Sequence, residues 1–132
     1  MRQFTEIEIK MAEKAEEIQA LRSGAASWGD GDYFAHGGKV DFVFPGMFGV
    51  VTDVPFIWLP LEHQLWGMMN YNIWDATLIL SDFLYYLDGT NEIGSKYKTW
   101  WEIIISLTMH ELYGKRWDDD KEDWVEDWVK EA

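Results

Sequence analysis

The chain reads as an α+β fold in a single domain spanning residues 1–132. A small antiparallel β-meander of three or four strands, at about residues 31–59, packs against an N-terminal helix and several C-terminal helices. Three observations predict this. Apolar residues recur every three or four positions over residues 5–22 and again over 100–113. Between them, over residues 30–59, the apolar period shortens towards two and turn residues punctuate short runs. Apolar residues make up 48% of the 132, enough to build a core despite a net charge of −13.

The first helix covers residues 5–22. Thr5 and Glu8 have capping-box spacing, in which each side chain satisfies the other's backbone N–H. Phe4, Ile7, Met11, Ala15, Ile18 and Leu21 form one apolar face, and Ser23-Gly24 ends the helix. Runs at 32–34, 39–44, 47–52 and 56–59 then read as strands. Gly37-Gly38, Pro45-Gly46 and Asp53-Val54-Pro55 separate them as turns. Pro60 suits the first turn of a second helix, where its missing N–H costs nothing, and Leu61, Leu65, Met68 and Met69 share one face. Residues 73–88 fit a helix through Ile73, Ala76, Thr77, Leu80, Leu84 and Leu87, although 77–80 alone would also suit a buried strand. The clearest helix is 100–113. Thr99 and Glu102 repeat the capping-box spacing, Gly114 stands where a left-handed cap belongs, and Lys115 and Arg116 follow the negative end of the dipole. A last short helix is expected from about Asp119 to Lys130.

Composition excludes several functions. There is no Cys, hence no disulfide, thiolate metal site or thiol nucleophile. The charge argues against binding nucleic acid, whose affinity comes largely from Lys and Arg neutralising phosphates, and against anionic membranes. The N-terminus is charged and amphipathic, unlike a signal peptide. No apolar run approaches the ~18 residues that span a bilayer, and residues 73–87 carry Asp75 and Asp82. The charge favours a basic protein as partner.

Close to half of that charge sits in the C-terminal segment, residues 117–132. Eight carboxylates and two lysines give it a net of −6, with three tryptophans threaded through. As a helix it would align Asp120, Asp123, Asp127 and Glu131 in a stripe about 16 Å long at ~1.5 Å per residue. Trp117, Trp124 and Trp128 would form a second stripe. Two readings follow: a terminal helix packed by its tryptophans with a solvated charged face, or an array of phosphate surrogates for a basic partner. In the second, Asp118, Asp119, Asp120, Glu122, Asp123, Glu126 and Asp127 make the charged contacts, and Trp124 and Trp128 anchor the segment.

Other chemistry finds less footing. Asp118, Asp120 and Glu122 alternate like calcium ligands, but the required Gly is replaced by Asp123 and the distal Glu by Val129. His110-Glu111 begins like a zinc-protease helix, yet Gly114 stands where the second ligand is needed. His36, His63 and His110 fall in different elements, so no metal or other cofactor is expected. No nucleophile–base motif is present, and Gly29-Asp30-Gly31-Asp32 is a turn with no helix after it. An enzyme is therefore not expected. Trp58, Trp66, Trp74, Trp100 and Trp101 could line a pocket for a small neutral or cationic ligand, or belong to an aromatic core and a homo-oligomer interface.

Several segments together resemble a family of small acidic proteins encoded by bacteriophages and prophages of Gram-positive bacteria. They are residues 8–19 (Glu8-Ile9-Lys10-Met11 onward), Gly31-Asp32-Tyr33, and Trp58-Leu59-Pro60 followed by Gln64-Leu65. The last is residues 109–118 (Met109-His110-Glu111-Leu112-Tyr113-Gly114 onward) with Trp124-Val125. Residues 67–98 match poorly, and Leu61 stands where members often carry a basic residue. The resemblance implies a phage origin and a setting in the host cytoplasm, and no particular activity. Residues and resemblance together lead to an accessory protein that acts by protein–protein contact, in its concrete form a nucleic-acid-mimicking inhibitor of a basic host protein. A ligand-binding module and a self-assembling structural protein are the alternatives.

Overall fold

Thr5 starts the first helix as its spacing predicts. In the computed structural model, which describes residues 2–22, 28–29, 31–43, 56–89 and 97–126, the Thr5 hydroxyl accepts the Glu8 N–H at 3.1 Å. The Glu8 carboxylate accepts the Thr5 N–H at 2.7 Å. The described residues fall into two compact units, Met1–Leu61 and Glu62–Ala132. Each is described by itself.

In the first unit the expected long helix is interrupted. α1 (Glu6–Lys14) stops at Ala15, whose ψ of 74° is not helical, and α2 (Glu16–Gln19) with a 3-10 turn (Ala20–Arg22) follows. Gln19 gives the physical reason. Its amide nitrogen donates to the Ala12 carbonyl at 2.9 Å and to the Trp58 carbonyl at 2.8 Å, and its oxygen accepts the Trp58 N–H at 2.8 Å. The side chain satisfies a carbonyl at the break and pairs like a peptide with a strand edge, which apolar periodicity does not reveal. The sheet contains β1 (Tyr33–His36), β2 (Lys39–Phe42) and β3 (Ile57–Leu59) in the order β2-β1-β3, all antiparallel. Gly37 and Gly38, with φ of 58° and 80°, make the two-residue turn from β1 to β2, a conformation that favours glycine at both positions. The run expected at 47–52 lies outside the described residues. Phe34, Ala35, Trp58 and Leu59 are buried with Met11, Ala12, Ala15 and Ile18. Phe42 is exposed and meets Tyr33 ring to ring at 6.2 Å.

The second unit is mainly helical. α3 (Glu62–Met69) ends on Asn70 in the left-handed region at φ 56°, a position Asn tolerates. Asn72 then opens α4 (Ile73–Gly89): its oxygen accepts the Asp75 N–H at 2.9 Å and its nitrogen donates to the Asp75 carboxylate at 3.0 Å. Residues 73–88 are thus helix, as expected. α5 (Trp100–Tyr113) is capped by Thr99 and closed by Gly114 at φ 65°, both as expected. It packs along α3 and against β4.

The expected C-terminal helix is a correction. Over its described part the chain forms a hairpin, β4 (Lys115–Asp118) and β5 (Asp123–Glu126). Two forces oppose a helix. Asp118 Oδ1 accepts the N–H of Asp120 at 2.9 Å and of Lys121 at 3.1 Å, a local turn that competes with helical bonding. A helix would also stack like charges at three- and four-residue spacing, as Asp119 and Asp120 against Asp123. Trp117 and Trp124, seven apart, suit one helical face and equally a directly paired position across this hairpin. There their rings meet at 5.2 Å and 68°.

Candidate functional site

The most exposed apolar surface among the described residues lies on α4. At 3.6 residues per turn, Trp74, Leu78, Ser81 and Tyr85 share one side of that helix. The opposite side carries Ala76, Ile79, Leu80 and Phe83. Phe83 is buried, its ring 5.6 Å from that of His110 on α5. The outer side is open: Trp74 is 77% exposed, Leu78 61% and Tyr85 81%, while Ile73, in the first turn at the edge of the groove, is 78% exposed as well. Asp75 and Asp82 flank the stripe on one edge. A helix apolar all round is normally buried on all sides. No helix among the described residues is long and apolar enough to cross a membrane.

Beside the N-terminal half of α4 runs an apolar groove of about 380 Å³, lined by Trp66, Tyr71, Ile73, Ala76, Thr77 and Leu80. Tyr71 bridges its rim to α5, donating its hydroxyl to Glu111 at 3.5 Å. Burial first, then the Glu111 carboxylate, hold its phenol above the ordinary 10.0. Of the tryptophans expected around a ligand, only Trp66 lines this groove. Trp58 and Trp101 are sealed in the two cores, and Trp74 and Trp100 face outward.

The acidic segment has a different geometry from the helical stripe. Asp119, Asp120, Glu122, Asp123 and Glu126 are exposed on the hairpin. Several carboxylates are already engaged: Asp118 holds the turn, Asp119 accepts the Trp117 indole N–H at 3.1 Å, and Asp123 accepts the Trp124 N–H at 2.8 Å. The backbone N–H of Lys121, foremost, and that of Asp120 hold the Asp118 carboxyl below the ordinary 3.8 by donating to it. Asp120 lies in the turn and Asp123 in a strand, so they share no helical face. Trp124 is buried against Trp117 across the hairpin. Asp127 and Trp128 lie outside the described residues.

No family model, curated protein or solved structure matches this chain.

The remaining chemistry-bearing groups are placed as follows. In the first unit, Asp32 is buried, accepting Arg22 Nε at 2.9 Å and the Gly29 N–H at 2.8 Å, while the Arg22 guanidinium lies 3.9 Å over the Trp58 ring. This is a paired structural charge beneath the predicted Gly29–Asp32 turn. His36 ends β1, His63 is exposed on α3 and His110 is half-buried on α5. Among the described residues no three His, Asp or Glu side chains gather to hold a metal. Ser106 stands one helical turn before His110, but its hydroxyl is sealed in the core. The feature that sequence reasoning missed is the outer stripe of α4. Its signal was present: Trp74, Leu78 and Tyr85 are left over once the face through Ile73, Ala76, Leu80 and Leu84 is assigned inward.

Proposed function

We propose that this chain is an interaction protein that docks another protein through the outer face of α4. The observation that carries the reading is the exposure of Trp74, Leu78 and Tyr85 along one side of one helix. Monomeric surfaces scatter single apolar residues but rarely align them in a contiguous patch. Trp and Tyr are also the residues that most often dominate binding energy at interfaces. In the phage setting that the sequence resemblance implies, the docked protein belongs to the host or to the phage itself.

The test is site-specific photocrosslinking in cells. A photoreactive residue at Leu78 is expected to give a covalent protein adduct, and one at the exposed Glu13 of α1 none. Replacing Trp74 and Tyr85 with Gln should remove the adduct. Equal labelling from both positions, or none from Leu78, would sink the proposal.

The hairpin supports a second reading, an acidic contact for a basic protein, on the ground that Asp119, Asp120 and Glu122 crowd one exposed turn beside Asp123 at the start of β5. In that reading the carboxylates stand in for phosphates. Affinity for the basic protein then falls steeply with added salt, because such contacts are screened. A salt-independent affinity, or one unchanged by Asp120→Asn with Glu122→Gln, removes it.

A further inference from the structure

We infer that the partner of the α4 face is a second copy of this chain, docked antiparallel about a two-fold axis at the middle of the helix. This rests on the α4 reading above and names the occupant. The exposed stripe runs Trp74, Leu78, Ser81, Tyr85, and its order is self-complementary. An axis passing between positions 79 and 80 sets Trp74 of one copy opposite Tyr85 of the other. It also sets Leu78 opposite Ser81. Each end gains an aromatic pair. At the centre a large side chain meets a small one, which lets two helices approach to the usual ~8–10 Å. Such an isologous contact is the commonest form of oligomer interface.

Size and charge fit the same arrangement. With whole aromatic side chains presenting roughly 150–250 Å² each, the exposed parts of the stripe come to on the order of 500 Å² per copy. A pair then covers about 1,000 Å², the threshold of a specific interface, with the groove rim at Ile73 and Thr77 adding to it. The stripe itself carries no charge, as interface centres characteristically do not. Asp75 and Asp82 lie off it on one edge. The two-fold axis brings the same edge of both copies together, so these four carboxylates repel, in chains already at −13 each. Salt screens that repulsion. Self-pairing must therefore tighten as salt rises, the reverse of a contact between the acidic hairpin and a basic protein.

Sedimentation of the full chain over a range of concentrations and salt tests this. The expected result is a reversible dimer, firmer at high salt, with Leu78→Lys raising its dissociation constant about 100-fold or more while the monomer keeps its circular dichroism. The absence of Cys from the chain permits a test of register. Mixed Trp74→Cys and Tyr85→Cys chains should form a disulfide with each other. Neither should form one alone, since like positions sit about 16 Å apart along the axis at ~1.5 Å per residue. A strict monomer at every concentration overturns self-pairing. So does a dimer indifferent to Leu78→Lys, and a disulfide in Trp74→Cys alone overturns the antiparallel arrangement. A strict monomer whose Leu78 still crosslinks to a different protein would leave the docking function standing and only its occupant wrong.

Discussion

α4 and α5 are both rich in isoleucine and leucine, they lie in the same unit, and their surroundings differ. α5 is enclosed along most of its length: Trp101, Ile104, Ile105, Leu107 and Met109 are fully buried, the helix packs against α3 and β4, and only Trp100 and Leu112 near its two ends are large apolar residues left exposed. α4 is covered on one side only, through Phe83 and its neighbours, and its other side meets solvent. Apolar content marks a helix that needs covering, but it does not say whether the cover comes from the same chain. Asymmetry of exposure on α4 makes that distinction, because its outer residues are as apolar as its inner ones.

The largest expected effect divides the two helices directly. Trp101→Ala should cost about 3–5 kcal/mol of unfolding free energy by removing a buried ring. Trp74→Ala in dilute monomer should change it by less than about 0.5 kcal/mol, as at ordinary surface positions. Chemical denaturation of both variants reads the difference. Comparable losses would mean that α4 is covered within its own chain and would end the contrast. Next comes the cover itself. Trp117→Ala should cost about 3 kcal/mol, since Trp117 is buried in the hairpin that lies against α5. A neutral result would make the hairpin a decoration rather than part of the core.

Much of this fold is legible in the sequence because its signals are local. Thr5 and Thr99 mark two helix starts, Gly114 a helix end, and Gly37-Gly38 a hairpin. Each acts within a few residues, and each appears where expected. The illegible parts depend on partners far along the chain or on competition between two local patterns. Gln19 breaks the first helix because Trp58, 39 residues on, offers its backbone. Trp117 and Trp124 satisfy helix and hairpin spacing alike, and only the Asp118 turn decides between them. The candidate site divides in the same way. The acidic residues were visible as charge, but their arrangement follows the hairpin. The α4 stripe was visible as leftover apolar residues, but only a fold could show which side of the helix was already taken.

Helix caps offer a control of intermediate size. Thr99 and Asn72 cap α5 and α4 by the same side-chain-to-backbone bond. Thr99→Ala and Asn72→Ala should therefore each cost about 1 kcal/mol. Matching values would show that the helices differ in cover and not in intrinsic stability. A much smaller loss for Asn72→Ala would show that the start of α4 frays in solution. Inside α5, Ser106→Ala should raise stability by about 1 kcal/mol or less. The buried hydroxyl has no hydrogen-bond partner among the described residues, and Ala is the better helix former.

The smallest effect lies at the rim of the hairpin, where acid should loosen it. Asp118 sits directly across from Asp123, an opposition of like charges that disfavours the pairing. The backbone N–H groups of Lys121 and Asp120 offset it by binding the ionised Asp118 carboxylate, and its pKa is lowered in consequence. A lowered folded pKa means that the stabilisation is present above the unfolded value near 3.8 and is lost as pH falls through the folded one. The turn should therefore hold at neutral pH and fray only in that acid range. The Trp117–Trp124 pair reports it, because two indoles 5.2 Å apart couple in the far-ultraviolet circular dichroism. Their couplet should fade on acidification before the helical signal of α5 does, and in Asp118→Ala it should already be weak at neutral pH. Loss of couplet and helix together in one transition would make the hairpin and α5 a single cooperative unit. The difference between the enclosed helix and the open one would then extend to everything packed around α5.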